Sequence, residues 1–167
     1  MNFNKRGYTL IAAIIAINIF AIFSLMAASM WERVLGRDLE EELLFRGEQY
    51  VNAIENFRKK NPNLYPRSLE ELDENKFLRE LYKDPVSDSG EWNLVLKSKN
   101  ARIKSLMVVP TDLLAKYIRN ANLIGVSSSS INESYRIYRG KTRYDEWAFY
   151  IGAKKDKEMP ELKFITD

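Results

Sequence analysis

No charged side chain lies between Lys5-Arg6 and Glu32-Arg33. As a helix rising 1.5 Å per residue, the uncharged run 8–31 is about 36 Å long, against about 30 Å for a hydrocarbon core. A helix satisfies its own backbone polar groups, so it is the form in which such a run can cross lipid. Lys5 and Arg6 precede the run, and the positive-inside rule keeps that short amino end cytoplasmic and places the rest of the chain on the far side. A secretory signal peptide has a shorter apolar region, about 7–15 residues, before a small-residue cleavage site. Ala27-Ala28-Ser29 offers small residues, but the apolar run ahead of it is longer than that. A signal anchor that merely tethers an exported binding or sensor module is one reading of the run.

The junction at its amino end supports another. A short basic leader closes with Lys5-Arg6-Gly7 and is followed by Tyr8-Thr9-Leu10-Ile11. These residues resemble the class III leader of type IV pilins and type II secretion pseudopilins. The resemblance implies cleavage between Gly7 and Tyr8 by a prepilin peptidase and N-methylation of Tyr8. It also implies an inner-membrane subunit with an exported domain, drawn by an assembly platform into a periplasmic fibre of pseudopilins or pilins. Thr9, Leu10, Ile11, Ala12 and Asn18 then belong to the membrane and filament helix. The family usually has Glu at the fifth mature position, where this chain has Ala12. The proline common later in the family's helix is absent, and Ser29 stands near its place.

Composition narrows the rest. The 167 residues leave room for one domain beyond the apolar helix. There is no cysteine and no histidine, which removes disulfides, the usual zinc signatures, Ser-His-Asp triads and cysteine nucleophiles together. Taking Lys5 and Arg6 from the 26 basic residues leaves 24 against 23 acidic ones, all of which follow Trp31. Such a balanced surface has no electrostatic footprint for nucleic acid. Neither enzymatic activity nor a cofactor is expected.

Helical character continues beyond Trp31. No proline occurs between Glu32 and Lys60, and Leu35, Leu39, Leu43, Tyr50, Ile54 and Phe57 recur at helical spacing. Arg37, Asp38, Glu41, Glu48, Asn52 and Glu55 fall on the other face, and Gly36 and Gly47 are candidate soft points, each about 1 kcal/mol worse than Ala. Asn61-Pro62-Asn63 stops the helix, after Arg58, Lys59 and Lys60 in its last turn. Ser68 and Glu71 form a capping-box pattern for a short helix running to about Tyr82, with Asp84-Pro85 as its break. The stretch from Tyr65-Pro66 through Leu69-Glu70-Glu71-Leu72 and Asp84-Pro85 to Gly90-Glu91-Trp92 looks like the loop that follows the long helix in major-pseudopilin-like proteins.

Strand chemistry begins at Trp92. Residues 92–96 alternate, and 103–109 and 123–126 are further candidates. Thr111 is positioned to cap a short helix over Leu113, Leu114, Tyr117 and Ile118. The serines at 127–130 read as a loop. Residues 135–138 and 147–151 are expected to pair antiparallel across Gly140, and the charged tail from Lys154 is expected to be loose. The fold expected is α+β: a long amino-terminal helix packed on a small antiparallel sheet. Its parts are a leader (1–7), a membrane helix (8–31), the exported half of the long helix (32–62), an α+β domain (63–153) and a tail (154–167).

Two groups of residues invite a site. Asp84, Asp88 and Glu91 cluster in a turn-rich stretch, and calcium takes six to eight oxygen ligands. Some major pseudopilins hold calcium in a carboxy-terminal loop, but turn-forming carboxylates account for the same three residues, and no metal is expected. Tyr135, Tyr138, Trp147, Phe149 and Tyr150 form either a ligand platform or ordinary sheet packing. Asn18, the one amide in the apolar run, is a candidate for hydrogen bonding between helices.

Overall fold

The computed structural model describes residues 5–100, 105–153 and 158–165. The chain divides into two compact units, Met1–Asp38 and Leu39–Asp167. Helix α1, Lys5–Lys60, supplies the described part of the first unit and the opening element of the second. It stops as its sequence dictates. Asn61 donates its backbone N–H to the Phe57 carbonyl, Pro62 blocks continuation, and Asn63 takes the left-handed conformation at φ 66°.

In the second unit Glu40, Leu43, Gly47, Tyr50, Ile54 and Phe57 of α1 turn inward at alternating intervals of three and four, with Ala53 buried beside Ile54. The expected stripe is therefore corrected at its start. Leu35 and Leu39 are exposed, and the buried face begins at Glu40. Gly47 is a packing notch and no soft point: a Cβ there would run into the ring of Phe149.

Helix α2, Glu70–Glu74, ends well short of Tyr82. The expected capping box is formed in part: the Glu71 N–H donates to Ser68 Oγ at 3.3 Å, but Glu71 Oε2 accepts from the Arg67 N–H at 2.6 Å, one residue before Ser68, and Leu69 is the residue that flanks the helix. Lys76 at φ 58° then turns the chain, and Phe77 and Leu78 both donate their N–H groups to the Leu72 carbonyl. Leu69, Leu72 and Leu78 are carried by this loop into the core beneath α1.

Strands β1 (Trp92–Ser98), β2 (Leu106–Val109), β3 (Ala121–Ser128), β6 (Ala148–Tyr150) and β7 (Leu162–Phe164) form one five-stranded sheet in the order β6-β3-β1-β2-β7. The sheet is mixed, which corrects the antiparallel expectation: β7 pairs parallel with β2, Leu106 opposite Leu162 and Val108 opposite Phe164. The charged tail accordingly contributes a strand, while 154–157 lie outside the described residues, as do residues 103 and 104 of the expected strand 103–109. Period-two alternation sends Trp92, Leu94 and Leu96 toward α1, where they join Leu43, Tyr50, Ile54, Leu123 and Phe149. Val95 points the other way and is buried too, with Leu106, Ile124, Ala148 and Met159 in a smaller second core. Burying one such side chain contributes about 1.5–3 kcal/mol.

A helix follows β2, a 3-10 turn at Thr111–Leu113 leading into α3, Leu114–Tyr117. Thr111 does not cap it; its hydroxyl donates instead to the Trp92 carbonyl at 2.8 Å. Strand pairing after β3 also differs from expectation. Arg139 and Gly140 both have positive φ, 51° and 82°, which makes a two-residue turn of the primed type between β4 (Glu133–Tyr138) and β5 (Lys141–Arg143). Because that turn is so tight, β4 is answered by 141–143, not by 147–151. A 3-10 turn at Tyr144–Glu146 then redirects the chain, and β6 pairs antiparallel with β3. Thus β4 and β5 form a separate two-stranded sheet.

Candidate functional site

Within the first unit, Thr9–Met26 is long and apolar enough to cross a membrane, and none of it is buried inside the protein. Its large apolar side chains, from Leu10 to Met26, are 49–74 % exposed. Ala12 is also exposed. The amide of Asn18 donates to the Ile14 carbonyl of its own helix at 2.7 Å, and Ser24 Oγ donates likewise to Phe20 at 2.9 Å. Each polar group thus finds a carbonyl one turn back, which lets it reside in an apolar stripe. Backbone at Gly7 and Tyr8 is helical, so the expected processing junction lies in the first turns of α1.

The three carboxylates considered for calcium have separate fates. Asp84 is buried, and its carboxylate accepts from Ser128 Oγ at 2.7 Å and from the N–H groups of Ser129 and Val86 at 3.0 Å each. Asp88 and Glu91 are exposed, and no group of three potential metal ligands occurs among the described residues. The serines at 127–130 are correspondingly not a loose loop. Ser127 and Ser128 belong to β3 and are fully buried, and Ser127 Oγ donates to the Asp145 carbonyl at 2.5 Å. Ser129 Oγ donates to the Glu91 carbonyl at 2.8 Å. This polar cluster fastens the 84–91 loop to the end of the central sheet.

Burial pushes the Asp84 carboxyl above the ordinary carboxylate range, against the opposing pull of the Ser128 hydrogen bond and three backbone N–H groups. A group whose folded pKa is raised binds its proton more tightly folded than unfolded. Its contribution to stability is therefore fully present below about pH 3.9 and is lost as pH rises through the folded value. Asp84→Asn should flatten this acid-side slope in thermal unfolding. Asp84→Ala should lower stability at every pH by about 1–3 kcal/mol, because it leaves buried donors without an acceptor.

The aromatic residues sort into packing. The ring of Tyr138 lies 5.1 Å from Trp147 and 5.7 Å from Phe149, and Trp147 is fully buried. Only Tyr135 of the five is more than half exposed. Burial raises the phenol pKa of Tyr138 and of Tyr50, whose hydroxyl donates to the Tyr82 carbonyl at 2.8 Å.

A site not expected from the sequence is centred on Glu40, whose side chain is 0 % exposed. Its Oε1 accepts from the N–H groups of Tyr135 at 2.6 Å and Arg136 at 3.2 Å and from the Tyr144 hydroxyl at 3.1 Å. The Arg136 guanidinium lies 3.4 Å from Oε2 and also reaches Glu41 at 2.7 Å. Burial first, and then the nearby Glu40 charge, push the Tyr144 phenol above its ordinary value. The signal was positional: Glu40 stands three residues before Leu43, in register with the buried stripe.

Compared with protein-family models, with curated proteins and with solved structures, the chain finds no match.

Proposed function

We propose that this chain is a minor pseudopilin or pilin-like subunit of a type II secretion or type IV pilus-type machine. On this reading a prepilin peptidase trims it after Gly7, Tyr8 is methylated, and the subunit passes from the inner membrane into a periplasmic fibre. The observation that carries the reading is the junction of Lys5-Arg6-Gly7 with an apolar helix whose large side chains are uncovered from Leu10 to Met26. A cut ahead of that helix retains it on the mature protein; a cut behind it would discard it. Lipid tails are about as apolar as leucine, so moving the helix from lipid to a neighbouring helix turns on close packing. Ala12 and Ala16, one turn apart, permit such an approach. A contact between unlike surfaces of successive subunits does not close on itself and generates a fibre.

Ala12 favours a minor or tip position. In a packed fibre the amine of each first residue is buried among apolar helices, where an unpaired charge costs several kcal/mol. A carboxylate at the fifth mature position can neutralise the amine of an adjoining subunit. A subunit with no neighbour above it has no amine to neutralise, and a Glu there would itself be buried without a partner. Ala12→Glu should therefore not improve function. Counting subunits in sheared, purified fibres tests the assignment. This chain should be present in far fewer copies than the shaft subunit. Finding it as the repeating shaft would overturn the tip assignment, and finding it only in the membrane would overturn the fibre reading itself.

A further inference from the structure

Among the described residues the β4–β5 ribbon shares no strand pairing with the five-stranded sheet. Its outward side chains are bare: Ile137 is 73 % exposed, and Ile131, just ahead of it, 72 %. A two-stranded hairpin is marginally stable by itself in water, so the ribbon's order comes from what it touches. The tip and base also touch the body: at the base Arg143 forms a two-pronged ion pair with buried Asp145 at 3.1 and 2.6 Å, which places the hinge there. The Tyr138 ring rests on Trp147 and Phe149, the Met159 N–H donates to the Arg139 carbonyl at 3.2 Å, and Arg139 Nη2 donates to the Tyr150 hydroxyl at 3.4 Å. At the base the Tyr144 N–H donates to the Asn132 carbonyl at 3.2 Å, and Lys141 pairs with Glu146 at 2.7 Å.

The middle of the ribbon is held differently. Two successive backbone N–H groups, at Tyr135 and Arg136, are taken by one carboxylate oxygen of Glu40, within the stretch between Glu133 and Tyr138 where β4 departs from regular pairing with β5. Hydrogen bonds to an ionised acceptor are roughly twice as strong as neutral ones, and burial strengthens them further. We infer that Glu40 is the latch of a hinged arm, residues 131–143, which opens as a unit while the five-stranded sheet stays intact.

Two arrangements serve the groups involved. With the arm closed, Glu40 Oε1 accepts from two N–H groups and a phenol, while buried Oε2 makes no hydrogen bond and has the Arg136 guanidinium at 3.4 Å as its ionic partner. With the arm open, water reaches the carboxylate, the N–H groups and the phenol alike. A half-open arm leaves a buried charge and buried N–H groups unpaired, which is the costly state. The latch therefore favours a discrete opening over graded fraying, and local opening of such a unit is a recognised mode of native-state motion. Opening changes the surface on offer from a basic ribbon to the aromatic floor of Tyr144, Trp147 and Phe149.

Hydrogen exchange followed by mass spectrometry, on the full chain in detergent micelles at neutral pH, tests this. In the wild type, amides of 133–143 should exchange at least tenfold faster than those of β1 and β3. Glu40→Gln keeps an acceptor oxygen but loses the charge. It should speed exchange in 133–143 by a further tenfold or more and change β1 and β3 by less than twofold. Tyr144→Phe removes one donor and should give a smaller rise confined to the same segment; it carries the comparison if Glu40→Gln does not fold. Equal acceleration of the arm and the sheet would show that Glu40 is an ordinary core clamp. Wild-type arm protection equal to that of β3, or no change in the arm in either folded variant, would equally overturn the latch.

Discussion

Gly7→Val is expected to leave the leader uncut while membrane insertion proceeds normally. Insertion depends on Lys5, Arg6 and the uncharged run that follows, none of which the substitution touches. Processing makes a different demand. Backbone is helical from Lys5 onward, so the peptide between Gly7 and Tyr8 must leave the helix before a peptidase can hold it extended. The first N–H groups of a helix have no partner within it, and glycine stabilises a helix about 1 kcal/mol less than alanine, so unwinding there is inexpensive. Glycine also lets another backbone approach closely, whereas valine places two γ-carbons where the peptidase must pass. The uncut form should accumulate in the membrane fraction, seen as an intact mass that includes the leader. Normal processing of Gly7→Val would sink the proposed cleavage site.

The largest effect on stability is expected at Gly125, in the middle of β3. A Cβ built there collides with the Phe149 carbonyl oxygen and lies 2.6 Å from Tyr150 Cα. Both atoms belong to the backbone of β6, so no side chain can rotate away. The opposing strand is already irregular at this point, where the β1–β3 register shifts between Val95 and Leu96. Even Gly125→Ala should cost about 3 kcal/mol or more, at the upper end of overpacking effects, by prising β6 from β3. Gly47→Ala is the instructive contrast. Its added carbon meets the ring of Phe149, a buried side chain packed on Trp92 and Tyr138, so relief there requires side chains and not strand backbone to shift. Alanine also recovers about 1 kcal/mol of helix propensity, so its net loss should be clearly smaller. Thermal unfolding followed by tryptophan fluorescence compares the two, because buried Trp92 and Trp147 report on this core. Equal losses at the two positions would mean that the β3–β6 approach is not what excludes a side chain from Gly125.

Local chemistry made the helical parts of this fold readable. The uncharged run, the Asn-Pro-Asn stop and the Ser68 half of the capping box at α2 each act within a few residues, and each is seen where its chemistry places it. The inward face of α1 was readable from Leu43 onward but misassigned before it. Continuing the alternation of three and four back from Leu43 gives Glu40, whose charge disguises a buried position, whereas Leu35 and Leu39 are apolar and exposed. Distant partners decide the remainder. Ser128 is strand and core because Asp84, 44 positions away, accepts its hydroxyl. Leu162–Phe164 is too short to show a period, and its parallel pairing with β2 depends on a connection that no local pattern encodes. Among the candidate sites, the Asp84 and aromatic groups proved to be packing and fastening, and the Glu40 cluster lay hidden because its donors come from residues about 95 positions further on.

Everything proposed about membrane retention and assembly depends on where the mature chain begins. Mass spectrometry of the amino-terminal peptide, on protein purified from membranes of cells that carry a prepilin peptidase, measures this directly. The proposed function requires a first residue of Tyr8 bearing one methyl group on its amine, with the apolar helix intact behind it. An unprocessed Met1 would leave the helix a simple tether, and a start near Met30 would make it a discarded signal; either result would contradict the fibre subunit.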